Sequence, residues 1–268
     1  MPGLKRMTVI LAAAFSAATL LSADTEAGLK AFRAKDYATA YKEFKAASDQ
    51  GDAAAQVNLG MMFARGVGVK QDLDEAMRLY HQSALQGNAM AQYRLGLRYA
   101  QGWGVQQDYA EASRWYQMAA DQGDARAQTG IATLYEEGYG VQQDNRKAIA
   151  YYRLAADQGI AEAQYDLAIL TEKGKGTKRD PAEAFALCRK AAEQGYVPAQ
   201  EKLGALYAAG TGVTADPAQA YFWSTLAAKQ NAKNAERRLA AMAARLTADQ
   251  ATQLKESARD WKPSAARK

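Results

Sequence analysis

A dipeptide returns at a fixed interval through most of this chain: Ala55-Gln56, Ala91-Gln92, Ala127-Gln128, Ala163-Gln164 and Ala199-Gln200 stand 36 residues apart, with no insertion or deletion between them. A constant interval of this length means one helical unit used several times, each burying its apolar face only against its neighbours. Other columns keep the same step. Leu59, Leu95, Ile131, Leu167 and Leu203 form an apolar column, and the next position is always small, at Gly60, Gly96, Ala132, Ala168 and Gly204. A small residue beside a large one marks a helix to which a second helix comes close. Phe63, Tyr99, Tyr135 and Tyr207, one turn on, share its face, and Thr171 interrupts that column.

A Gly-x-Gly pair follows in every unit, from Gly66 and Gly68 to Gly210 and Gly212. Recurrence in every unit, with no Gly-Lys-Ser/Thr behind it, assigns the pair to a turn that ends helix A rather than to a phosphate cradle. Four residues later stands an aspartate (Asp72, Asp108, Asp144, Asp180, Asp216), placed to cap helix B. Glu75, Glu111, Glu183 and Gln219 follow as expected capping-box partners. Helix B carries Ala76, Ala112, Ala148, Ala184 and Ala220, then Tyr80, Tyr116, Tyr152, Cys188 and Ser224 one turn later. Gly87, Gly123, Gly159 and Gly195 close it, and Asn231 takes that position in the last unit as a left-handed cap.

The two ends differ from this pattern. Lys5 and Arg6, the apolar run from Met7 to Leu21 and the small pair Ser22-Ala23 read as an export signal cut after Ala23, so that the mature chain begins at Asp24. The run is shorter than the ~20 residues a membrane helix needs, so no stable membrane insertion is expected after cleavage. Cys188 is the only cysteine, which excludes a disulfide within the chain. Residues 229 to 268 hold ten basic against four acidic side chains, whereas residues 24 to 228 are slightly acidic. The basic excess, including Lys262, Arg267 and Lys268 around Pro263, is read as a solvated, frayed tail.

The string Ala91-Gln92-Tyr93-Arg94-Leu95-Gly96-Leu97-Arg98-Tyr99, with Gly102-Trp103-Gly104-Val105, Asp108, Ala112 and Tyr116 behind it, resembles the Sel-1-like repeat family. Five copies cover residues 54–233. The opening hairpin, with Gly28, Ala40, Phe44 and Ala47, is similar to the related tetratricopeptide repeat. The resemblance implies an all-α, right-handed α-solenoid of antiparallel helix pairs, with helix A on the inner wall, used mainly as a scaffold for other proteins. The expected organisation is a signal peptide over 1–23, a tetratricopeptide-like capping hairpin over 24–53, the repeats over 54–233, carboxy-terminal capping helices over 234–262 and a basic tail over 263–268.

On that inner wall the variable positions Val57, Met61, Tyr93, Leu97, Tyr165 and Ile169 are the candidate protein-binding residues, suited to an extended or helical segment of alternating apolar and charged residues. Packing between adjacent A helices is the alternative for the same side chains. Trp103 and Tyr139, between the glycines of their loops, are a candidate second contact edge, with mutual loop packing as the alternative.

Three other function classes find little support. Some relatives are described as penicillin-binding or β-lactam-hydrolysing, yet this chain has no Ser-x-x-Lys. His81 is the only histidine, read as a surface residue, and Cys188 lies three repeats away as a small core residue, so neither a zinc site nor a Cys-His pair assembles. Nucleic-acid binding would need a basic stripe that the repeats lack. The reading is therefore a non-enzymatic scaffold in the bacterial envelope, periplasmic or secreted, serving signalling or envelope assembly, with a peptidoglycan- or β-lactam-related activity as the alternative. No catalytic residue, metal or cofactor is assigned, and the expected partner is a peptide segment or an envelope protein.

Overall fold

The computed structural model describes residues 25–230, 232 and 234–264. The export segment over 1–23, the start at Asp24, Asn231 as a cap, and Arg267 and Lys268 of the tail lie outside the described residues.

All described secondary structure is helical, arranged as antiparallel pairs. Helix α1 (25–33) and α2 (Tyr37–Asp49) form the short opening hairpin. The five repeats follow as α3 (Ala53–Arg65) with α4 (Leu73–Leu85), α5 (Ala89–Gln101) with α6 (Tyr109–Asp121), α7 (Ala125–Glu137) with α8 (Asn145–Asp157), α9 (Ala161–Lys173) with α10 (Pro181–Glu193), and α11 (Val197–Ala209) with α12 (Pro217–Ala228). Helices α13 (Ala235–Ala243) and α14 (Ala248–Asp260) close the array. Two compact units divide it, one ending at Ala127 and the other beginning at Gln128.

Identical local signals give each repeat the same form. Asp72 Oδ1 accepts the Glu75 backbone N–H at 2.9 Å, and Asp108, Asp144, Asp180 and Asp216 cap helices α6, α8, α10 and α12 in the same way. The reciprocal half of the expected capping box does not form at the repeat glutamates. Glu75 pairs with Arg78, Glu111 with Arg114 and Glu183 with Arg153, because a guanidinium within reach gives a carboxylate a charge-assisted bond. A complete box occurs instead at Thr247 and Gln250, which start α14.

The second glycine of the last loop is needed twice over. Gly212 has φ of 73°, and a Cβ there would come to 1.9 Å from the Pro181 carbonyl oxygen at the start of the preceding helix B. Positive φ and backbone contact together leave no room for a side chain. Gly96 plays a different part: it lies within α5, where a Cβ would strike the Tyr116 ring at 2.5 Å, so the small column is where helix B seats its aromatic.

In the first unit Phe44, Leu59, Met62 and Leu79 pack between the opening hairpin and the first repeat, and Val57, Tyr80, Leu95 and Trp115 continue the core. In the second unit Leu203, Leu206, Phe185 and Trp223 pack into one core. The closing helices cover α12 through Met242 on Tyr221, and Trp261 meets Trp223 edge-on at 6.0 Å. The chain past α14 is not frayed at its start: Pro263 lies against Gly195, and Ser264 donates from its backbone N–H to the Glu193 carbonyl at 2.8 Å.

Candidate binding surface

A buried glutamine ladder accounts for the recurring Ala-Gln pair. Gln92 in α5 is 1% exposed. Its Nε2 donates to the Ala84 carbonyl of α4 at 3.2 Å, and its Oε1 accepts from Gln122 Nε2, just past α6, at 2.7 Å. One amide thus ties three helices. Gln164 does the same with Ala156 and Gln194, and Gln200 with Ala192 and Gln230. Gln56 and Gln128 each accept from the glutamine 30 residues on, Gln86 and Gln158. A buried amide with its donors and acceptors matched is stable and hard to replace, which is why glutamine recurs in the register.

With aspartates and glutamines engaged in the frame, the candidate residues separate by environment. Val57 is 1% exposed and packs against the Tyr80 core, so it is corrected from binding residue to core residue: it offers a partner no surface. Met61 is half-buried beside that core, and its Sδ lies 3.7 Å from an Arg94 nitrogen. Tyr93 is half-buried under the Arg126 guanidinium, 4.7 Å from the ring centre, with Tyr116 at 6.0 Å. Tyr165 packs edge-on to Tyr196, and Ile169 is half-buried in α9. Tyr139 is 45% exposed on its loop.

Leu97 and Trp103, assigned from sequence to different surfaces, come together. Both line a pocket of about 490 Å³ in the first unit, with Leu73 as a further apolar wall and Arg65, Arg94 and Arg98 around it. Trp103 is 59% exposed, and the Arg98 guanidinium lies 5.5 Å above its ring. Arg94 has its Nε buried without a hydrogen-bond partner. Burial, with Arg126 and Arg65 nearby, pulls the affinity of Arg94 for its proton down, against the pull of the Tyr80 and Tyr93 hydroxyls.

The arginines were not singled out in the sequence, although a signal was present. Stepping by 36 from Arg98 gives Met62, Leu134, Leu170 and Leu206, all buried apolar residues. A lone cation in an apolar column is a departure from the repeat that the frame does not require.

The second unit has a groove of about 410 Å³ beside Tyr165, and its charges are matched internally. Lys202 pairs with Glu172, Asn234 donates to Glu201 Oε1 at 2.8 Å, and Arg238 donates to the Glu201 carbonyl at 3.0 Å.

Comparison with known proteins gives the repeat its name. A family model described as Sel1 repeat matches five times, over residues 53–88, 89–124, 125–160, 161–196 and 197–231. The chain belongs to the Sel1 repeat family. Among solved structures it is similar to a Sel1 repeat protein from Oxalobacter formigenes, at 30% identity over 90% of this chain and 98% of that one, with a TM-score of 0.77. It is also similar to c5321, described as a protective antigen of uropathogenic Escherichia coli strains displaying an SLR fold, at 29% identity over 89% of this chain and 60% of that one, with a TM-score of 0.60. Curated proteins give no match.

Within the Sel1 frame the reactive side chains serve packing. Cys188 is fully buried in the helix B column, its thiol directed to the Ala199 carbonyl at 3.4 Å, and burial pushes its pKa up to about 12. His81 is not the surface residue expected from sequence. It is half-buried edge-on to Trp115 at 5.7 Å, with Nε2 3.4 Å from the Tyr99 hydroxyl, and burial lowers its pKa. No described helix is long and apolar enough to cross a membrane.

Proposed function

We propose that this Sel1 repeat protein is an exported, non-enzymatic adaptor of the bacterial envelope, and that its first unit holds a segment of a partner protein. The observation that supports this reading most is the pocket at Leu97 and Trp103. An exposed indole, two half-buried leucines and three arginines line it, and none of them caps a helix or joins the glutamine ladder. Exposed aromatics with arginine, at the centre of a concavity, are the side chains from which binding hot spots are made. Similarity to a protective antigen is in keeping with a place outside the cytosol.

Two measurements test the proposal. Amino-terminal sequencing of the protein from the periplasmic fraction should find Asp24 first; recovery only from the cytosol, with Met1 retained, would remove export from the reading. Crosslinking in the native envelope, read by mass spectrometry, should join one partner to residues around Trp103. Trp103→Ala should lose that partner while keeping the helical circular-dichroism signal. Equal recovery of the same proteins with wild type and variant would refute the adaptor role at this pocket.

A further inference from the structure

The pocket in the first unit carries a charge that no described residue balances. Arg65 ends α3, Arg94 and Arg98 stand one turn apart on α5, and all three line the same cavity. Among the described residues none has a carboxylate within ion-pair distance, although acidic side chains of the same unit pair with other arginines: Glu75 with Arg78, Glu111 with Arg114, and Asp124 with Arg126. Arg94 keeps a buried Nε with no partner at all. Arg94 is half-buried with Arg65 and Arg98 lining the same cavity, and a partly desolvated cation beside like charges opposes folding, so the missing counter-charge is expected from outside the chain.

The walls narrow the chemistry further. Leu73, Leu97 and the Trp103 indole offer apolar contact next to the guanidinium groups. A bare phosphate would meet the cations but leave this wall uncovered, whereas a neutral apolar ligand would leave the cations unpaired. The volume, about 490 Å³, suits a few residues of a peptide and not a folded domain. Arg98 adds a comparison internal to the chain. Its column is filled in the other repeats by Met62, Leu134, Leu170 and Leu206, so a leucine fits the frame and the arginine is local to this pocket.

We propose that this pocket binds an acidic peptide segment of a partner protein, in which an aliphatic or aromatic side chain lies on Trp103 and Leu97 while adjacent carboxylates pair with Arg94, Arg98 and Arg65. The proposal rests on the adaptor reading above and supplies the chemistry of its partner.

The test uses the full chain and an array of synthetic eight-residue peptides that combine one Leu or Phe with up to three Asp or Glu, each beside its Asn/Gln counterpart. Acidic peptides should bind, their Asn/Gln counterparts should bind about 10- to 100-fold more weakly, and affinity should fall with added salt. Arg98→Leu, which restores the repeat column, should lose binding by a similar factor while unfolding at the same or higher denaturant concentration. Trp103→Ala should lose binding with helix content unchanged.

Equal binding of acidic and neutral peptides, or undiminished binding by Arg98→Leu, would overturn the proposal. So would an array with no binder. The adaptor reading would survive that last result if crosslinking still joined a partner near Trp103, which keeps the two failures distinct.

Discussion

Asp166 offers the sharpest test of the energetics. It lies in α9 of the second unit, half-buried, with Glu162 one turn before it and Glu136 on α7 nearby, and no cation pairs with it among the described residues. Glu136 is itself held in place, accepting from the Tyr152 hydroxyl at 2.9 Å. Burial first, and the two glutamates second, push the Asp166 pKa from 3.8 to about 7. The folded state therefore keeps a proton that the unfolded chain has already released near pH 4. As pH rises through this window the folded state loses stability relative to the unfolded one, and above the folded pKa the full penalty is in place. A shift of about three units corresponds to roughly 4 kcal/mol. Asp166→Asn imitates the protonated carboxyl at every pH. In urea unfolding followed by far-ultraviolet circular dichroism, the variant should be more stable than wild type by up to about 4 kcal/mol at about pH 8, with the difference shrinking toward zero at about pH 4. All other titrating groups are common to both proteins, so the difference isolates this carboxyl. A difference that stays constant across that range would refute the reasoning, because it would mean that Asp166 is hydrated and charged throughout.

Other expectations follow from the frame. Gln164→Leu deprives the Ala156 carbonyl and the Gln194 amide of their buried partner and should cost about 1–3 kcal/mol in urea unfolding. Gly212→Ala must move the start of α10 and adopt positive φ, so it should destabilise the second unit by more than the ~1 kcal/mol of an ordinary glycine exchange in a helix, seen as a lower thermal midpoint. Asp180→Ala removes the bonds to the Ala182 and Glu183 N–H groups and should cost roughly 1 kcal/mol. The Cys188 thiol should react with a disulfide reagent only as fast as the chain opens, and at the rate of a free thiol in denaturant; rapid reaction of the native protein would show that the column is not closed.

Much of the architecture could be read before any coordinates because it is local and repeated. An aspartate before a helix caps it whatever lies around it, a Gly-x-Gly pair reverses the chain by its own dihedral freedom, and five copies in one register make each assignment five times over. Cys188 was legible as a core residue for the same reason, since its column is tyrosine in three other repeats. The candidate surface was legible only in part. Leu97 and Trp103 stand out as variable positions, but nothing local to either shows that they meet in one pocket, and Arg98 stands out only as the departure from a column that is otherwise apolar.

Sequence alone determined the unit length, the helix limits, the caps and the turns, since these depend on interactions within a few residues. Tertiary structure alone decided which of the variable positions face protein and which face solvent. Val57 and Tyr93 occupy the same repeat position, yet the first is core and the second half-buried beneath an arginine. Packing also chose the partner of each polar group: Gln56 meets Gln86 across 30 residues, and Glu183 reaches back 30 residues to Arg153 instead of closing its own cap. The three-arginine pocket belongs to this second kind of information. Its residues come from α3, the start of α4, α5 and two loops, and only the stacking of those segments places like charges together without a counter-charge among the described residues.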